Sequence, residues 1–248
     1  MENWRLLVKI EKMDIIIPFV LVIFVIIIVG RIFKIRQRKQ QNQNLLETVT
    51  KSDRGTYSER NLVLKLLKNG IPAQTIFHDL YLRKPNGNFS QIDLVVVTTA
   101  GLIVFEVKDY SGWIFGKGFQ DKWTQVLAFG KQKYRFYNPI MQNNKHVVDL
   151  RNTCRQFVSI PFFSVVVFDG DCELRDISFV PEGTFVVRIE RVFEVIRIIQ
   201  AKEPAPYTDK YEVVRVLKEA VENGANKETE LEHKETVTNL LGKHRVFD

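Results

Sequence analysis

Residues 91–110 read QIDLVVVTTAGLIVFEVKDY. Val, Leu, Ile and Phe fill most of the stretch, and Ala100-Gly101 breaks it near the middle. Apolar, β-branched runs on either side of a glycine turn predict two strands paired as an antiparallel hairpin, one ending near Thr98, the other near Lys108. Side chains alternate faces along a strand. Gln91, Asp93 and Val95 therefore share one face, Glu106 and Lys108 share a face, and Phe105 and Val107 point into the core. A hairpin through Gly101 brings Asp93 towards Glu106. Two carboxylates and an ammonium then converge in the most apolar part of the sequence. Unpartnered charges there cost about several kcal/mol each. A divalent cation removes that cost, because Mg²⁺ takes carboxylate oxygens while keeping several waters. A lysine beside such a site can orient a water or stabilise developing charge. A plain ion pair of Lys108 with Glu106 or Asp93 explains the same residues without chemistry.

Outward from this hairpin, YSERNLVLKLLKNG predicts a helix. Leu62, Val63, Leu66 and Leu67 form its apolar stripe, and Gly70 and Pro72 stop it. Glu59 precedes Leu62, Val63 and Leu66 by three, four and seven residues, so it lies on that stripe. It is either a third acid for the same site or a carboxylate favoured by the helix dipole. QTIFHDLYL reads as a strand and RKPNGN as a turn. GWIFGKGFQDKWTQVL and KYRFYN read as further short strands. NPIMQNNKHVVDLRNTCRQFV reads as a helix with Asn138 as N-cap and Pro139 at its first position. FFSVVVFDGDCELR predicts a long strand ending in an Asp-Gly hairpin turn, and TFVVRI another strand. RVFEVIRIIQAK and TDKYEVVRVLKEAVEN read as closing helices. The order is helix, three strands, more β, helix, two strands, helices. It predicts a mixed α/β fold around one central sheet.

The chain has 248 residues, 45% of them hydrophobic, enough for one good-sized core with appendages. Its formal net charge of +7 is unevenly placed. Residues 1–39 hold eight Lys/Arg against three Asp/Glu, whereas the remainder holds 28 against 26. The overall basicity is thus weak evidence for a nucleic-acid partner. The basic end flanks IIIPFVLVIFVIIIVG, residues 15–30, which carries no charge. As a helix it spans roughly 24 Å, close to the bilayer core once Arg31, Ile32 and Phe33 extend it. A single transmembrane helix over 15–33 is the expectation, making the lipid bilayer a partner; no small-residue cleavage site follows it. Five Lys/Arg after it and three before it favour a cell-membrane protein with its C-terminal domain in the cytoplasm. Residues 1–14 are then an extracytoplasmic segment, 34–52 a basic, polar linker, 53–222 the folded domain and 223–248 a polar tail. Two cysteines without a C-x-x-C give no disulfide framework.

From Lys117 to Arg155 there are eight Lys/Arg against two Asp, with Phe119, Trp123, Phe129, Tyr134, Phe136 and Tyr137 between them. Cations neutralise phosphates and aromatic rings stack on bases. Lys117, Lys122, Lys131, Lys133, Arg135, Lys145 and Arg151 are the candidate nucleic-acid contacts, for DNA or RNA. A solvated basic face over an aromatic core is the other account. GWIFGKG lacks P-loop spacing, DGDCE lacks the EF-hand pattern, and the four histidines show no zinc spacing.

Taken together, YSERNLVLKLL, HDLYL, QIDLVVVTTAGLIVFEVKDYSG, KWTQ and FYNPIMQNNKHVVDLR resemble the nuclease-related domain, NERD, of the PD-(D/E)xK superfamily. The resemblance covers residues 53–155, with 156–222 completing the domain. It implies a restriction-endonuclease-like central sheet and a Mg²⁺- or Mn²⁺-dependent phosphodiesterase. On that pattern Asp93 and Glu106 bind the metal, Lys108 positions the attacking water, Glu59 is the helix acid, and Gln125 and Gln142 occupy glutamine positions of the catalytic set. Ile92 stands where the superfamily's name puts proline. Two readings from other classes stay open. One is a non-catalytic nucleic-acid-binding module tethered to the membrane. The other is a membrane-anchored scaffold whose charge cluster is purely structural.

Overall fold

The computed structural model describes residues 24, 26–84, 86–226, 228–233 and 235–236. The chain forms two compact units, Met1–Leu45 and Leu46–Asp248. A helix, α1, runs over residues 26–46, with Ile26, Ile27, Phe33 and Ile35 exposed along it. Most of the expected membrane span lies outside the described residues. Among the described residues no helix is long and apolar enough to cross a membrane.

The second unit opens with α2 (Tyr57–Lys68). Thr56 caps it: its hydroxyl accepts from the Glu59 N–H at 3.3 Å and donates to Glu59 Oε1 at 2.8 Å. This is a T-x-x-E capping box. Gly70, at φ +83°, ends the helix in a conformation that costs glycine little. The strands β1 (Ile76–Arg83), β2 (Phe89–Thr98) and β3 (Gly101–Asp109) follow as an antiparallel meander. Gly101 turns β2 into β3 as the sequence predicts; a Cβ there would run into the Pro161 carbonyl. Next come β4 (Gly112–Lys117), β5 (Lys122–Leu127), β6 (Gln132–Tyr137) and α3 (Pro139–Arg151). Then β7 (Phe162–Asp169), β8 (Cys172–Ser178), β9 (Thr184–Arg188), α4 (Val192–Gln200) and α5 (Lys210–Ala225) complete the unit.

These strands make two sheets, where one central sheet is expected from the sequence. The first has the order β1-β2-β3-β7-β9 and the second β6-β5-β4-β8. The predicted hairpin at Asp169-Gly170 is likewise corrected, since β7 and β8 belong to different sheets. The physical reason is a shared bend. β3 pairs parallel with β7, Asp109 opposite Asp169, and β4 pairs parallel with β8, Gly112 opposite Cys172. The offset between partners is unchanged across the gap. N–H groups of Tyr110 and Gly112 bridge it by bonding to the carbonyls of Asp169 and Asp171 at 3.3 and 2.9 Å. One parallel ladder therefore leaves the first sheet and enters the second. Gly170 permits the bend at φ +84°, where a Cβ would press on the Tyr110 carbonyl.

The first sheet is covered on both faces. Leu94, Val96, Ile103, Phe105 and Val107 pack under α2 and α4 with Leu62, Val63, Leu66 and Ile196. Val95, Leu102 and Val104 pack under α3 and α5 with Leu150, Val213 and Leu217. A third cluster, Ile114, Trp123, Ile140, Val166 and Phe168, seats the second sheet against the end of β7. Full burial of each such side chain contributes about 1.5–3 kcal/mol. Glu106 and Lys108 pair with Val166 and Phe168, which places them on the face where α3 and the second sheet meet the first.

Candidate functional site

Register puts the charges together. The β2–β3 pairing ends at Leu94–Phe105, so Asp93 and Glu106 are the next opposed positions. Asp93 Oδ2 accepts the Val107 N–H at 2.7 Å. Lys108 Nζ lies 2.6 Å from Glu106 Oε1 and donates to Gln142 Oε1 at 3.1 Å. Glu106 is 1% exposed, and its Oε2 has no hydrogen-bond partner. That oxygen faces His146 Nε2 at 3.3 Å. Behind His146, Ser90 Oγ is 3.3 Å from Nδ1 and donates to Asp149 Oδ2 at 2.6 Å. Lys84 Nζ closes this row 3.1 Å from Asp149.

Burial, then the charges of Glu106 and Glu59, raise the Asp93 carboxyl well above its ordinary value. Burial pulls the Lys108 ammonium down, but the Glu106 charge and hydrogen bond outweigh it, and the net shift is upward. The two acids thus compete for one neutralising charge, and Lys108 sits against Glu106. A cation held by both carboxylates would relieve Asp93 as well. The donor set fits a hard ion: Mg²⁺ commonly binds through one or two carboxylates and keeps its waters, and one Glu106 oxygen is free of hydrogen bonds. Among the described residues no three His, Cys, Asp or Glu side chains gather as ready metal ligands.

Glu59 is buried but engaged elsewhere. Its Oε2 lies 3.3 Å from His78 Nε2, and His78 Nδ1 is 2.8 Å from the Thr50 hydroxyl. Burial raises the Glu59 carboxyl, yet hydrogen bonds from His78 and Thr56 outweigh that and the net shift is downward. Glu59 thus acts on Asp93 through its charge. Beside this pair β1 and β2 are kinked. Asp79, at φ +56°, is skipped by the pairing, which passes from His78–Leu94 to Leu80–Ile92. Phe77 and Leu80, and opposite them Val95 and Ile92, enter the same core although three residues apart. Simple alternation therefore fails at Asp93, and Ile92 joins the side of Val95. The kink is held by Arg54, which bonds Asp79 Oδ2 at 3.0 Å, the Asp79 carbonyl at 2.6 Å and the Val221 carbonyl of α5 at 3.0 Å. Gln91 Nε2 donates to Asp79 Oδ1 at 3.0 Å.

Of the six expected catalytic positions, Asp93, Glu106, Lys108 and Gln142 come together directly. Gln125 does not join them; its amide donates to the Ser111 carbonyl at 2.8 Å, just beyond the end of β3. The candidate nucleic-acid residues separate. Lys122, Lys131, Lys133 and Arg135 lie exposed on or beside the β5–β6 ribbon. Lys117 stands over the Phe179 ring and Arg151 over the Phe162 ring. Lys145 is exposed on α3. Sequence reasoning missed His146, although it follows Gln142 by one helical turn and so shares its face. It also missed His78 and Arg54, which no local pattern marks.

The site stands on a helix, an antiparallel meander and a parallel strand reached through α3. Residues 54–169 match the family model of the nuclease-related domain, NERD. A Bacillus anthracis protein, itself uncharacterised, is 29% identical over 125 residues, which is 50% of this chain and 57% of that protein. The chain thus spans little more than half the length of this curated relative. No solved structure matches it.

Proposed function

We propose that this chain is a membrane-tethered, metal-dependent nuclease with a restriction-endonuclease-like fold, hydrolysing phosphodiester bonds of nucleic acid. The observation that carries it is the Asp93–Glu106–Lys108 cluster, on adjacent strands of a sheet that is otherwise apolar at this point. Asp93 and Glu106 would hold Mg²⁺ or Mn²⁺, which when bound supplies an activated water and offsets phosphate charge. Lys108 brings a fixed positive charge to the attacking water and the phosphate. Gln142 fixes the ammonium's direction, and His146 flanks the free Glu106 oxygen. Glu59 holds its charge near Asp93 and favours cation binding there. The exposed apolar residues of α1 and the uncharged run before it support a bilayer anchor over 15–33.

The test is cleavage of labelled single- and double-stranded DNA and RNA with Mg²⁺, Mn²⁺ or EDTA, by the full chain and by Asp93→Ala and Lys108→Ala. Metal-dependent cleavage reduced about 100-fold or more in both variants is expected. Cleavage that survives both substitutions overturns the assignment. One observation favours a second reading: Lys108 is already balanced by Glu106 and Gln142 without any ligand. Salt-sensitive nucleic-acid binding without cleavage, kept in both variants, would select the non-catalytic tethered module.

A further inference from the structure

The β5–β6 ribbon is the edge of the second sheet, and β6 has no further strand beside it among the described residues. Register sorts its side chains. Lys122 pairs with Tyr137, Thr124 with Arg135 and Val126 with Lys133. Lys122, Lys133, Arg135 and Tyr137 therefore share one face. The other face of β5, with Trp123, packs against Phe136 in the third core cluster. Residues 121–137 contain four cations and one acid, Asp121. At the ribbon's tip Phe129 is 95% exposed, and Ala128 and Phe129 are both left-handed, at φ +49° and +52°. At its base Tyr137 is 52% exposed.

The ribbon is tied towards the catalytic cluster at two places. Nearer its tip, Gln125 of β5, opposite Tyr134, bonds to Ser111, which lies three residues after Lys108. β6 runs straight into Asn138, whose Nδ2 holds the Gly118 and Gln120 carbonyls at 3.0 and 2.7 Å and whose Oδ1 accepts the Ile140 N–H that starts α3. Gln142, on the first turn of that helix, bonds to Lys108. The line of cations and rings thus runs beside the proposed catalytic cluster, joined to it at the base through Asn138 and α3.

We infer that the outer face of the β5–β6 ribbon is the docking track for a single strand of nucleic acid. The inference rests on the nuclease reading and names its substrate class. Cations along one face suit a polyphosphate backbone. The exposed rings select strandedness. A duplex keeps its base faces stacked inside, whereas an unpaired strand offers each base to a ring. Lysines on an edge strand also discourage sheet-to-sheet pairing; that role needs no ring at Tyr137 or Phe129 and predicts no preference for single strands.

The experiment is binding of fluorescent oligo(dT), oligo(U) and a DNA duplex to the full chain in EDTA, across a salt series. The variants are Lys133→Ala/Arg135→Ala, Tyr137→Ala, Phe129→Ala and, as a control exposed on α5, Lys218→Ala. Single strands are expected to bind more tightly than duplex. The double variant should flatten the salt slope for a single strand by about 1.4, two cations at roughly 0.7 each. Loss of either ring should weaken single-strand binding roughly 5- to 150-fold with little change for duplex, and Lys218→Ala should resemble the parent. Duplex preference, or ring variants that bind as the parent does, overturns the track. So does oligonucleotide affinity that is unchanged while binding to phosphatidylserine vesicles is lost; that result assigns the ribbon to a lipid surface. Ribbon-dependent binding that Lys108→Ala leaves intact upholds the track even where no cleavage is seen. Single-strand cleavage unaffected by the ribbon variants sinks the track and leaves the nuclease standing.

Discussion

Gly55 is the residue whose substitution tests the architecture behind the site most directly. It lies between Arg54, which holds the Asp79 kink, and Thr56, which caps α2. Its φ is +62°, and a Cβ there would come within 2.6 Å of His78 Nε2 and closer still to Glu59 Oε2. Gly55→Ala therefore has three effects. Left-handed backbone costs an alanine about 1–2 kcal/mol. A stiffer unfolded chain returns about 0.4–1 kcal/mol. The largest effect is on the buried Glu59–His78 pair, which must part to admit the methyl group. Removing one partner of a buried pair costs about 3–5 kcal/mol. Displacement without removal costs less, so the net loss is set at about 2–4 kcal/mol, or roughly 5–15 °C in Tm for a domain of this size. Urea unfolding of the full chain, followed by tryptophan fluorescence, measures it. Gly183→Ala is the control: its φ is +75° but nothing lies within 4 Å of the new Cβ, so only the two backbone effects act and it should lose about 0–1.6 kcal/mol. The sign of the pH dependence is also determined. Glu59 is held below its ordinary value of 4.5 in the folded state. Its contribution is thus present above that value and is lost as pH falls through the depressed one. The difference between parent and Gly55→Ala should shrink over that same range. A loss no larger than that of Gly183→Ala, or one that grows in acid, would refute the reasoning.

Asp93 has the opposite sign. Its folded-state value lies well above the ordinary 3.8, so the folded state holds this proton more tightly than the unfolded chain does. Stability contributed here is complete below about pH 3.8 and falls as pH rises through the raised value. Asp93→Asn should therefore be more stable than the parent at neutral pH, by about 0.5–2 kcal/mol as for other relieved active-site groups, and thermal melts across pH should show the gap closing in acid. Asn143 is buried on α3 and donates to the Val104 carbonyl at 2.8 Å and to Ser164 Oγ at 2.9 Å. Asn143→Ala leaves both acceptors without that donor and should cost about 1–3 kcal/mol in the same unfolding assay, while Asn144→Ala, a neighbour with no such bonds, should not.

How much of this could be read beforehand follows from the range of each interaction. The hairpin at Gly101, the start of α3 at Asn138-Pro139 and the stripe of α2 are set by neighbours within a few residues, and they stand where local pattern puts them. So does the approach of Asp93 to Glu106, because one tight turn fixes the register between them. Gln142 meets Lys108 only because α3 crosses that face of the sheet. The family resemblance placed it at the site; spacing alone could not. The second sheet was hidden for a different reason. A parallel ladder that bends between β3–β4 and β7–β8 depends on residues 60 apart remaining in step, and no window of sequence contains both halves. The kink at Asp79 was hidden too, since an aspartate in a strand reads as a surface residue until Arg54, 25 positions earlier, is seen bonded to it.

That kink ties the two kinds of information together. Regular alternation would keep Asp93 in step with Gln91 and Val95 along the whole of β2. Instead β1 and β2 slip together at Asp79 and Asp93, so Ile92 takes the core-facing place and the strand is irregular where the carboxylate must be presented. Left-handed backbone at a non-glycine residue costs energy, and here two hydrogen bonds from Arg54 and one from Gln91 hold Asp79. Arg54 draws one of its bonds from α5, at the far end of the chain. The C-terminal helix is therefore part of what presents Asp93, although it carries none of the acids and lies beyond the residues that match the NERD family model. A chain cut after β7 would keep every residue of the proposed catalytic set and lose the Val221 carbonyl that steadies the guanidinium behind it.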